Sequence, residues 1–334
     1  MTTRTLPAPA EETLGVWSTP LPFPSPLGFA FSYLVRFPDG VIAVDAGWDS
    51  PESWDAFTAG LHLSGHTLDD LRGLVVTHVH PDHYGLAARI RHETSAWIAL
   101  HPAERPRIAA TAEERRLAVA DVARWLREAG TPDDELDALH AQDTDLLQRL
   151  PAVQPDHDLL DGAAVPGTDG ALIAVHTPGH TAGHLCFHDR SRNVVFTGDH
   201  VLPRVTPNIS KRPGSDEDPL ARFDASLRRL YTYDGARVMP GHEWPFTGLG
   251  TRLEELRAHH TERLTEIEST VHAGARTVWE VAAAVHWSRP FAGLAPRAKR
   301  SAVGETHAHL RRLAADGRLL EQSGTPIRWS PVIK

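Results

Sequence analysis

Residues 77–83 read Thr-His-Val-His-Pro-Asp-His, so three imidazoles and one carboxylate fall within six residues. The string directly follows a short apolar run that predicts a β-strand. In an extended loop His78 and His80, two residues apart, point to one side. Asp82 and His83 follow at the turn and reach a neighbouring point. Neutral imidazole and carboxylate are the ligands expected for zinc, and they also suit iron or manganese. The string therefore predicts a metal site, and its geometry suits the paired ions of two-metal hydrolases.

Other short apolar runs also predict strands, and several of them end in a small polar cluster. Loops at the edge of a sheet are where binding and catalytic residues collect, so these clusters are candidate site residues. The predicted strands are 29–36, 41–45, 74–77, 96–100, 171–175, 184–187, 194–196 and 237–239. The polar clusters that follow strands are Asp45-Ala46-Gly47, Thr177-Pro178-Gly179-His180, Gly198-Asp199 and Pro240-Gly241-His242.

Taken together, these segments resemble the metallo-β-lactamase fold superfamily, in particular its glyoxalase II-like hydrolase branch. The H-x-H-x-D-H string of that family corresponds to residues 78–83, and its T-P-G-H-T-x-G-H element corresponds to residues 177–184. The bridging-aspartate element matches 196–199, the last ligand element matches 240–243, and an early D-x-G matches 45–47. The resemblance implies an α/β fold, an αββα sandwich of two mixed sheets flanked by helices.

The resemblance also implies which side chains surround the metals. The expected cofactors are two divalent metal ions, with Zn²⁺ favoured and Fe or Mn as alternatives. Asp82 and Asp199 are the expected catalytic residues, because Asp199 would fix the distance between the ions and Asp82 would orient the nucleophile. The expected ligands are His78, His80 and His180 for the first metal, Asp82, His83 and His242 for the second, and Asp199 bridging both.

The function that follows from the resemblance is hydrolysis of an activated carbonyl, in a thioester, an ester or a lactone. Water held by metal ions reaches a pKa near ~7, so a bridging hydroxide could attack at neutral pH. Position 199 is Asp rather than the cysteine of many true β-lactamases, which disfavours antibiotic hydrolysis. Position 80 is His rather than the Glu of flavodiiron proteins. A mononuclear iron persulfide dioxygenase shares part of the pattern, but Asp82 with both His83 and His242 favours two metals.

Composition excludes several other classes of protein. The chain has 334 residues, of which 41% are hydrophobic and 23% charged, which is ordinary for a folded soluble protein. No apolar run approaches the ~20 residues of a membrane span, and the first residues lack a signal-peptide pattern. We therefore expect a cytoplasmic protein. Cys186, the only cysteine, excludes an intramolecular disulfide and a zinc site built from thiolates.

Charge and pattern predict two modules. Residues 275–334 carry ten Lys or Arg and four Asp or Glu, a net charge of +6, within a chain whose net charge is −9. Helical periodicity covers 112–129, 133–149, 216–231 and 251–272, and the C-terminal part predicts helices at 277–285 and 302–315, then strands at 318–321 and 327–330. The predicted domains are a metallo-β-lactamase-like catalytic domain, 1–250, with a mostly helical insertion at about 102–150, and a linker helix with a winged-helix-like domain, 251–334.

The C-terminal arginines leave a second function open. Arg311 and Arg312 lie on the second predicted helix of this part and Arg318 and Arg328 on the hairpin, a stripe that could neutralise phosphates. The same two-metal site could then serve an endoribonuclease or phosphodiesterase, but the net negative charge disfavours a nucleic-acid partner. A small-molecule substrate is the favoured partner, no membrane partner is expected, and a homodimer is left open. A non-catalytic binding protein is disfavoured by the intact ligand set.

Five further residues receive weaker interpretations. Asp45 is expected to accept hydrogen bonds that organise a loop, rather than to bind metal. Tyr84 is expected to pack, and Cys186 to be a core thiol. His184 is left open between a role beside the ligands and a structural one. His200, which follows Asp199, is not expected to be a ligand.

Overall fold

The structure, a computed structural model, describes residues 6–108, 111–211, 213, 215 and 217–332. Packing divides the chain into two compact units. The first comprises Met1–Ala110, Arg149–Pro207 and Arg228–Leu253, and the second comprises Thr111–Gln148, Asn208–Leu227 and Glu254–Lys334. The predicted boundary near residue 250 stays a prediction, and the unit that holds the C-terminal part also holds Thr111–Gln148.

The first unit contains a mixed sheet of seven strands that pair in chain order. The pairs formed among the first four strands are antiparallel, and the pairs from the fourth strand to the seventh are parallel. Its strands are β1 (Ala10–Thr13), β2 (Val16–Pro22), β3 (Phe29–Phe37), β4 (Gly40–Val44), β5 (Leu71–Val75), β6 (Trp97–Leu100) and β7 (His157–Asp158). The parallel part needs crossover connections, and these place the polar ends of β5 and β6 at one edge of the sheet.

A second mixed sheet of four strands belongs to the same unit. Its strands are β8 (Leu172–His176), β9 (Leu185–Asp189), β10 (Val194–Gly198) and β11 (Arg237–Pro240), which pair in the order β11-β10-β9-β8. Buried side chains of both sheets, among them Phe31 and Val44 from the first and Phe187 and Phe196 from the second, form one hydrophobic cluster. Burial of this apolar surface holds the two sheets face to face.

Helices cover the other face of the seven-stranded sheet. In α1 (Pro51–Leu63), Ser50 caps the first turn through a bond from Ser53 N, and a proline occupies the first helical position. Trp54, Phe57 and Leu61 lie on one face of α1 and join the cluster that packs on this sheet. The other helices of this region are α2 (Pro81–Tyr84), α3 (Ala87–Glu93) and a 3₁₀ helix at Pro102–Arg107.

The second unit is mainly helical and has its own core. Trp125, Ile267, Leu310 and Trp329, all buried, belong to one hydrophobic cluster. Its elements are α4 (Ala112–Glu128), α5 (Asp133–Arg149), α8 (Val278–Ala284), α9 (Pro296–Ala315), β12 (Leu319–Gln322) and β13 (Arg328–Pro331), while α6 (Pro219–Leu230) and α7 (Leu249–His272) contribute residues to both units. The predicted helical insertion and the predicted C-terminal hairpin are both present as elements.

Several boundaries differ from the sequence prediction. The helix predicted from 216 begins at Pro219, and the one predicted from 302 begins at Pro296, where a proline occupies the first turn. The periodicity did not indicate β2, whose sequence contains two prolines, Pro20 and Pro22. No helix in the described part of the chain is long and apolar enough to span a membrane.

Candidate metal centre

The polar side chains singled out from the sequence come together in the first unit. His78, His80, Asp82 and His83 follow β5, at and around the first turn of α2. The remaining members come from three other loops of the second sheet's region: His180 lies between β8 and β9, Asp199 follows β10, and His242 follows β11. Seven side chains from both sheets therefore supply two adjacent groups of ligand atoms.

The first cluster consists of three imidazoles and one carboxylate. His80 Nδ1 lies 2.8 Å from His78 Nε2 and 3.1 Å from His180 Nε2, and Asp199 Oδ2 lies 3.8 Å from His180 Nε2. One ligand atom from each of the four residues lies within 4.8 Å of the others. Three ring nitrogens that converge on one point are the donor arrangement of a metal site.

The second cluster consists of Asp82, His83 and His242, again with ligand atoms within 4.8 Å of one another. Asp82 Oδ2 lies 3.4 Å from His242 Nε2. Asp199 Oδ1 lies 3.4 Å from His83 Nε2 and 3.4 Å from His242 Nε2. The two oxygens of Asp199 therefore face different clusters, the geometry that a bridging carboxylate needs.

The outward nitrogen of three of these imidazoles has an acceptor, which fixes the tautomer. His83 Nδ1 lies 2.8 Å from Asp45 Oδ2, and His242 Nδ1 lies 2.9 Å from the Phe29 carbonyl. The Thr77 hydroxyl donates to Asp45 Oδ2, so it can accept from His78 Nδ1 at 3.0 Å. With a proton on each Nδ1, the lone pair of each Nε2 points into the centre.

Asp45 has the role that the sequence predicted, because it organises the loop and orients a ligand. Its buried carboxylate accepts from both Thr77 N, at 2.7 Å, and the Thr77 hydroxyl, at 2.8 Å, as well as from His83. The backbone of Asp45 has φ of +61°, a conformation that Asp and Asn tolerate better than most side chains.

Asp45→Asn should therefore fold normally and weaken metal binding at the second cluster. Asn presents either an amide donor or a poorer acceptor to His83 Nδ1, so the ring loses its orienting partner. Loss of such a partner typically costs 10–100-fold in metal affinity, and we expect a decrease of about this size. Competition of Zn²⁺ with a chelator measures it, and unchanged affinity for both ions would exclude the orienting role.

Burial and the neighbouring charges divide the histidines into two groups. Burial lowers the pKa of His78 and of His80 well below the ordinary value, and neighbouring imidazoles add to the effect. Burial acts in the same direction on His83 and His242, but the carboxylates of Asp199 and of Asp45 or Asp82 outweigh it. These charges raise the pKa of His83 well above the ordinary value and that of His242 to about 10.

The donor set fits divalent metal ions. Within the described residues, neither His83 Nε2 nor Asp199 Oδ1 has a hydrogen-bond partner, although both atoms are buried. A buried polar atom without a partner costs free energy, which a cation at this place would remove. Gly241 leaves the space free, because a Cβ there would lie 2.6 Å from Asp199 Oδ1 and 2.7 Å from His83 Cε1.

The residues given weaker interpretations lie around this centre but add no ligand atom to either cluster. Tyr84 is buried and its hydroxyl donates to the Val153 carbonyl, so it packs as predicted. Cys186 is buried, and burial raises the pKa of its thiol to about 12. His184 Nδ1 lies 2.9 Å from the Thr177 hydroxyl, and burial lowers the pKa of His200 to about 3.

Sequence reasoning missed Glu104, which lies at the start of the predicted insertion. Glu104 is fully buried, and each of its two carboxylate oxygens accepts a hydrogen bond from a backbone amide beside the ligands. The signal was available, because His101, Pro102 and Glu104 directly follow a predicted strand, as the other candidate residues do.

Comparison with known families agrees with this geometry. The sequence profile described as the metallo-beta-lactamase superfamily matches residues 25–242. The chain belongs to the metallo-beta-lactamase superfamily. The two mixed sheets with flanking helices are its α/β fold, and the fold that the resemblance implied is confirmed. The family implies divalent metal ions, in agreement with the His and Asp clusters.

Three individual proteins illustrate where the chain stands in the metallo-beta-lactamase superfamily. The crystal structure of the family protein TTHA1429 from Thermus thermophilus has 30% sequence identity and a TM-score of 0.78, covering 96% of this chain and 99% of that one. The probable metallo-hydrolase YqjP of Bacillus subtilis is 26% identical over 78% of this chain and 82% of its own length. The human acyl-coenzyme A thioesterase MBLAC2 is 32% identical, over 50% of this chain and 54% of its own length.

Proposed function

We propose that the protein is a binuclear metal-dependent hydrolase of activated carbonyl compounds, with thioesters as the preferred class. The observation that carries the proposal is the pair of ligand clusters that share Asp199. Two divalent cations held there would supply Lewis-acid activation of a carbonyl oxygen and of a water molecule. The superfamily match, together with relatives named as a metallo-hydrolase and a thioesterase, supports hydrolase activity, and the finer assignment to the glyoxalase II-like branch is part of the proposal.

The residues of the chain have separate roles in this proposal. His78, His80 and His180 hold the first ion, while His83 and His242 hold the second together with Asp82. Asp199 joins the two and offsets part of their charge. Zn²⁺ is the proposed metal, because five imidazoles and two carboxylates suit it, and Fe or Mn would fit the same donors.

Asp82 is the proposed group that orients the attacking water. It is buried, and its interactions with His83 and His242 outweigh burial and lower the pKa of its carboxyl. Asp82 is therefore ionised at neutral pH and can only accept hydrogen bonds. Its Oδ2 faces His242 Nε2, which leaves Oδ1 to accept a hydrogen bond from the water molecule.

The thioester preference has a chemical reason beside the relationship to MBLAC2. A thiol has a pKa near ~8.5, so a thiolate leaves without a proton donor at neutral pH. An alkoxide is far more basic and needs a general acid. In this centre the carboxylates and imidazoles of the two clusters serve as ligands. Burial lowers the pKa of His184 well below the ordinary value and that of His200 to about 3, so neither ring is a protonated acid at neutral pH. This favours the leaving group that needs no proton.

The C-terminal arginines give less support to an RNA-cleaving enzyme. Arg311 pairs with Glu321 at 2.9 Å, and Arg312 pairs with Asp218 at 3.0 Å. Arg318 pairs with Glu268. A phosphate would have to displace these carboxylates. The elements α8, α9 and β12–β13 have the order expected of a winged helix. Because their arginines are paired with carboxylates of the same chain, we propose a structural role for these elements rather than nucleic-acid binding.

The test is to measure the metal content of the purified protein and its turnover of a panel of acyl thioesters, aryl esters, lactones and single-stranded RNA. We expect thioesters to be hydrolysed with the highest kcat/KM and with about two metal ions per chain. Preference for a lactone or an aryl ester would overturn the thioester preference and leave the proposed binuclear hydrolase of activated carbonyl compounds in place. Cleavage of RNA alone, with strong dependence on salt, would replace it.

A further inference from the structure

The 3₁₀ helix Pro102–Arg107 brings a buried carboxylate between two loops of the metal centre. Glu104 is 0% exposed. Its Oε2 accepts from Val79 N at 2.8 Å, and its Oε1 accepts from Gly183 N, also at 2.8 Å. Bonds from N–H groups to an ionised acceptor are stronger than neutral ones. One side chain therefore binds two segments that are far apart in sequence.

Both segments carry ligands of the first cluster. Val79 lies between His78 and His80, and Gly183 lies three residues after His180. The distance of 3.1 Å between His80 Nδ1 and His180 Nε2 spans these two segments. The Glu104 carboxylate thus connects the backbone segment that carries His80 to the segment that carries His180.

Other groups of the same region act in the same direction. Arg107 Nε donates to the Val79 carbonyl at 3.2 Å, so the residue between the two histidines is held at its N–H and at its C=O. The ring of His101 stacks on that of His176, with centroids 4.0 Å apart and planes at 6°. His176 Nε2 in turn donates to the Ala182 carbonyl at 3.0 Å.

The close approach of the second loop depends on a glycine. A Cβ at Gly183 would lie 2.8 Å from Glu104 Cγ, 2.9 Å from Glu104 N and 3.0 Å from Oε1. Any side chain at this position would displace the carboxylate or the loop. The Glu104 carboxylate can therefore approach this loop only because Gly183 has no side chain.

We propose that Glu104 is a positioning residue, which sets the spacing of the His80 and His180 donor atoms and thereby the metal affinity of the first cluster. Metal sites tolerate only small departures of their ligand atoms from the required geometry. Groups that orient ligands without binding the metal typically contribute 10–100-fold to affinity. Glu104 would act in this way through two backbone amides rather than through an imidazole ring.

Glu104→Gln tests the inference with little change in volume. The Gln amide can accept from only one of the two N–H groups and points its own NH₂ at the other. We expect Zn²⁺ affinity for one of two equivalents to fall about 10–100-fold, in competition with a chelator, and the other equivalent to change little. Glu93→Gln, at an exposed position of the same unit, removes the same charge and should bind both equivalents normally.

Thermal unfolding of the metal-free variants separates positioning from simple stability. Unchanged affinity for both equivalents would overturn the inference, whether or not the metal-free protein loses stability. If Glu104→Gln does not fold, Gly183→Ala disturbs the same contact from the other side without a substitution at Glu104. The same loss at one equivalent is expected from it, and normal binding would again overturn the inference. No substrate enters these measurements, so the outcome is independent of the proposed thioester hydrolysis.

Discussion

Asp199→Asn is expected to lower kcat for the best substrate by about 10³-fold, because the carboxylate charge that serves both clusters is lost. Charge stabilisation at a metal centre amounts to several kcal/mol, and ~4 kcal/mol corresponds to ~10³ in rate. Asn is close to Asp in size, so the packing around it should remain. Both oxygens of Asp199 face ligand nitrogens, and one amide cannot replace them on both sides.

Metal content tests this result independently of the rate. We expect the variant to retain one ion or less per chain, where the unchanged protein holds about two. Asp55→Asn, at an exposed position of α1, changes the charge equally and should alter neither quantity. A variant that keeps both ions and full turnover would show that Asp199 does not bridge.

The second large effect is a difference in pH dependence between the two clusters. Burial lowers the pKa of His78 and His80 well below the ordinary value, so these rings carry no proton at neutral pH. Although burial opposes it, the nearby carboxylates of Asp199 and Asp82 raise the pKa of His242 to about 10. A metal ion must therefore displace protons from the second cluster but not from those two ligands of the first.

The expected result is that Zn²⁺ affinity of the second cluster falls up to about tenfold per pH unit, for each displaced proton, as the pH decreases below about 10. The affinity of the first cluster should change far less over the same range. Calorimetric titration at about pH 6, in two buffers of different ionisation enthalpy, measures the protons released, and roughly two are expected from His83 and His242. If no protons are released, His83 and His242 are not protonated in the metal-free protein, which contradicts the prediction.

The same pKa has the opposite consequence for the metal-free protein. A proton on His242 is stabilised by folding, because its pKa in the folded chain lies above the ordinary value of 6.5. This contribution is fully present below pH 6.5 and is lost as the pH rises through about 10. Alkaline conditions thus weaken the metal-free fold while they favour the metal-bound one.

The centre was more predictable than the rest of the chain, for a physical reason. Imidazoles and carboxylates at a spacing such as that of His78, His80 and His83 have few uses other than metal binding, so the residue types alone carry the inference. The strands beside them were predicted because apolar runs such as Val194–Phe196 are buried on both faces. The helices that begin at Pro219 and Pro296 each start at a proline, a local signal that periodicity does not report.

Residues that support the ligands were harder to find. Glu104 acts through the backbone of Val79 and Gly183, and only the folded chain shows which amides a carboxylate meets. Asp45 was found because it begins a D-x-G element at a strand end, although its partner His83 was not predicted. The core that α4 and α5 share with the C-terminal helices was also not predicted, since periodicity does not show which helices pack together.

The hydrogen bonds that fix the tautomers also connect the two clusters. His78, Thr77, Asp45 and His83 form a continuous chain of donors and acceptors, with one metal ligand at each end. A cation that polarises one terminal ring strengthens the next bond, and such chains are cooperative. We therefore expect an ion at one position to change the affinity for an ion at the other, and by thermodynamic reciprocity the factor is the same in both directions. Two cations held here would form a coupled pair rather than two independent ions.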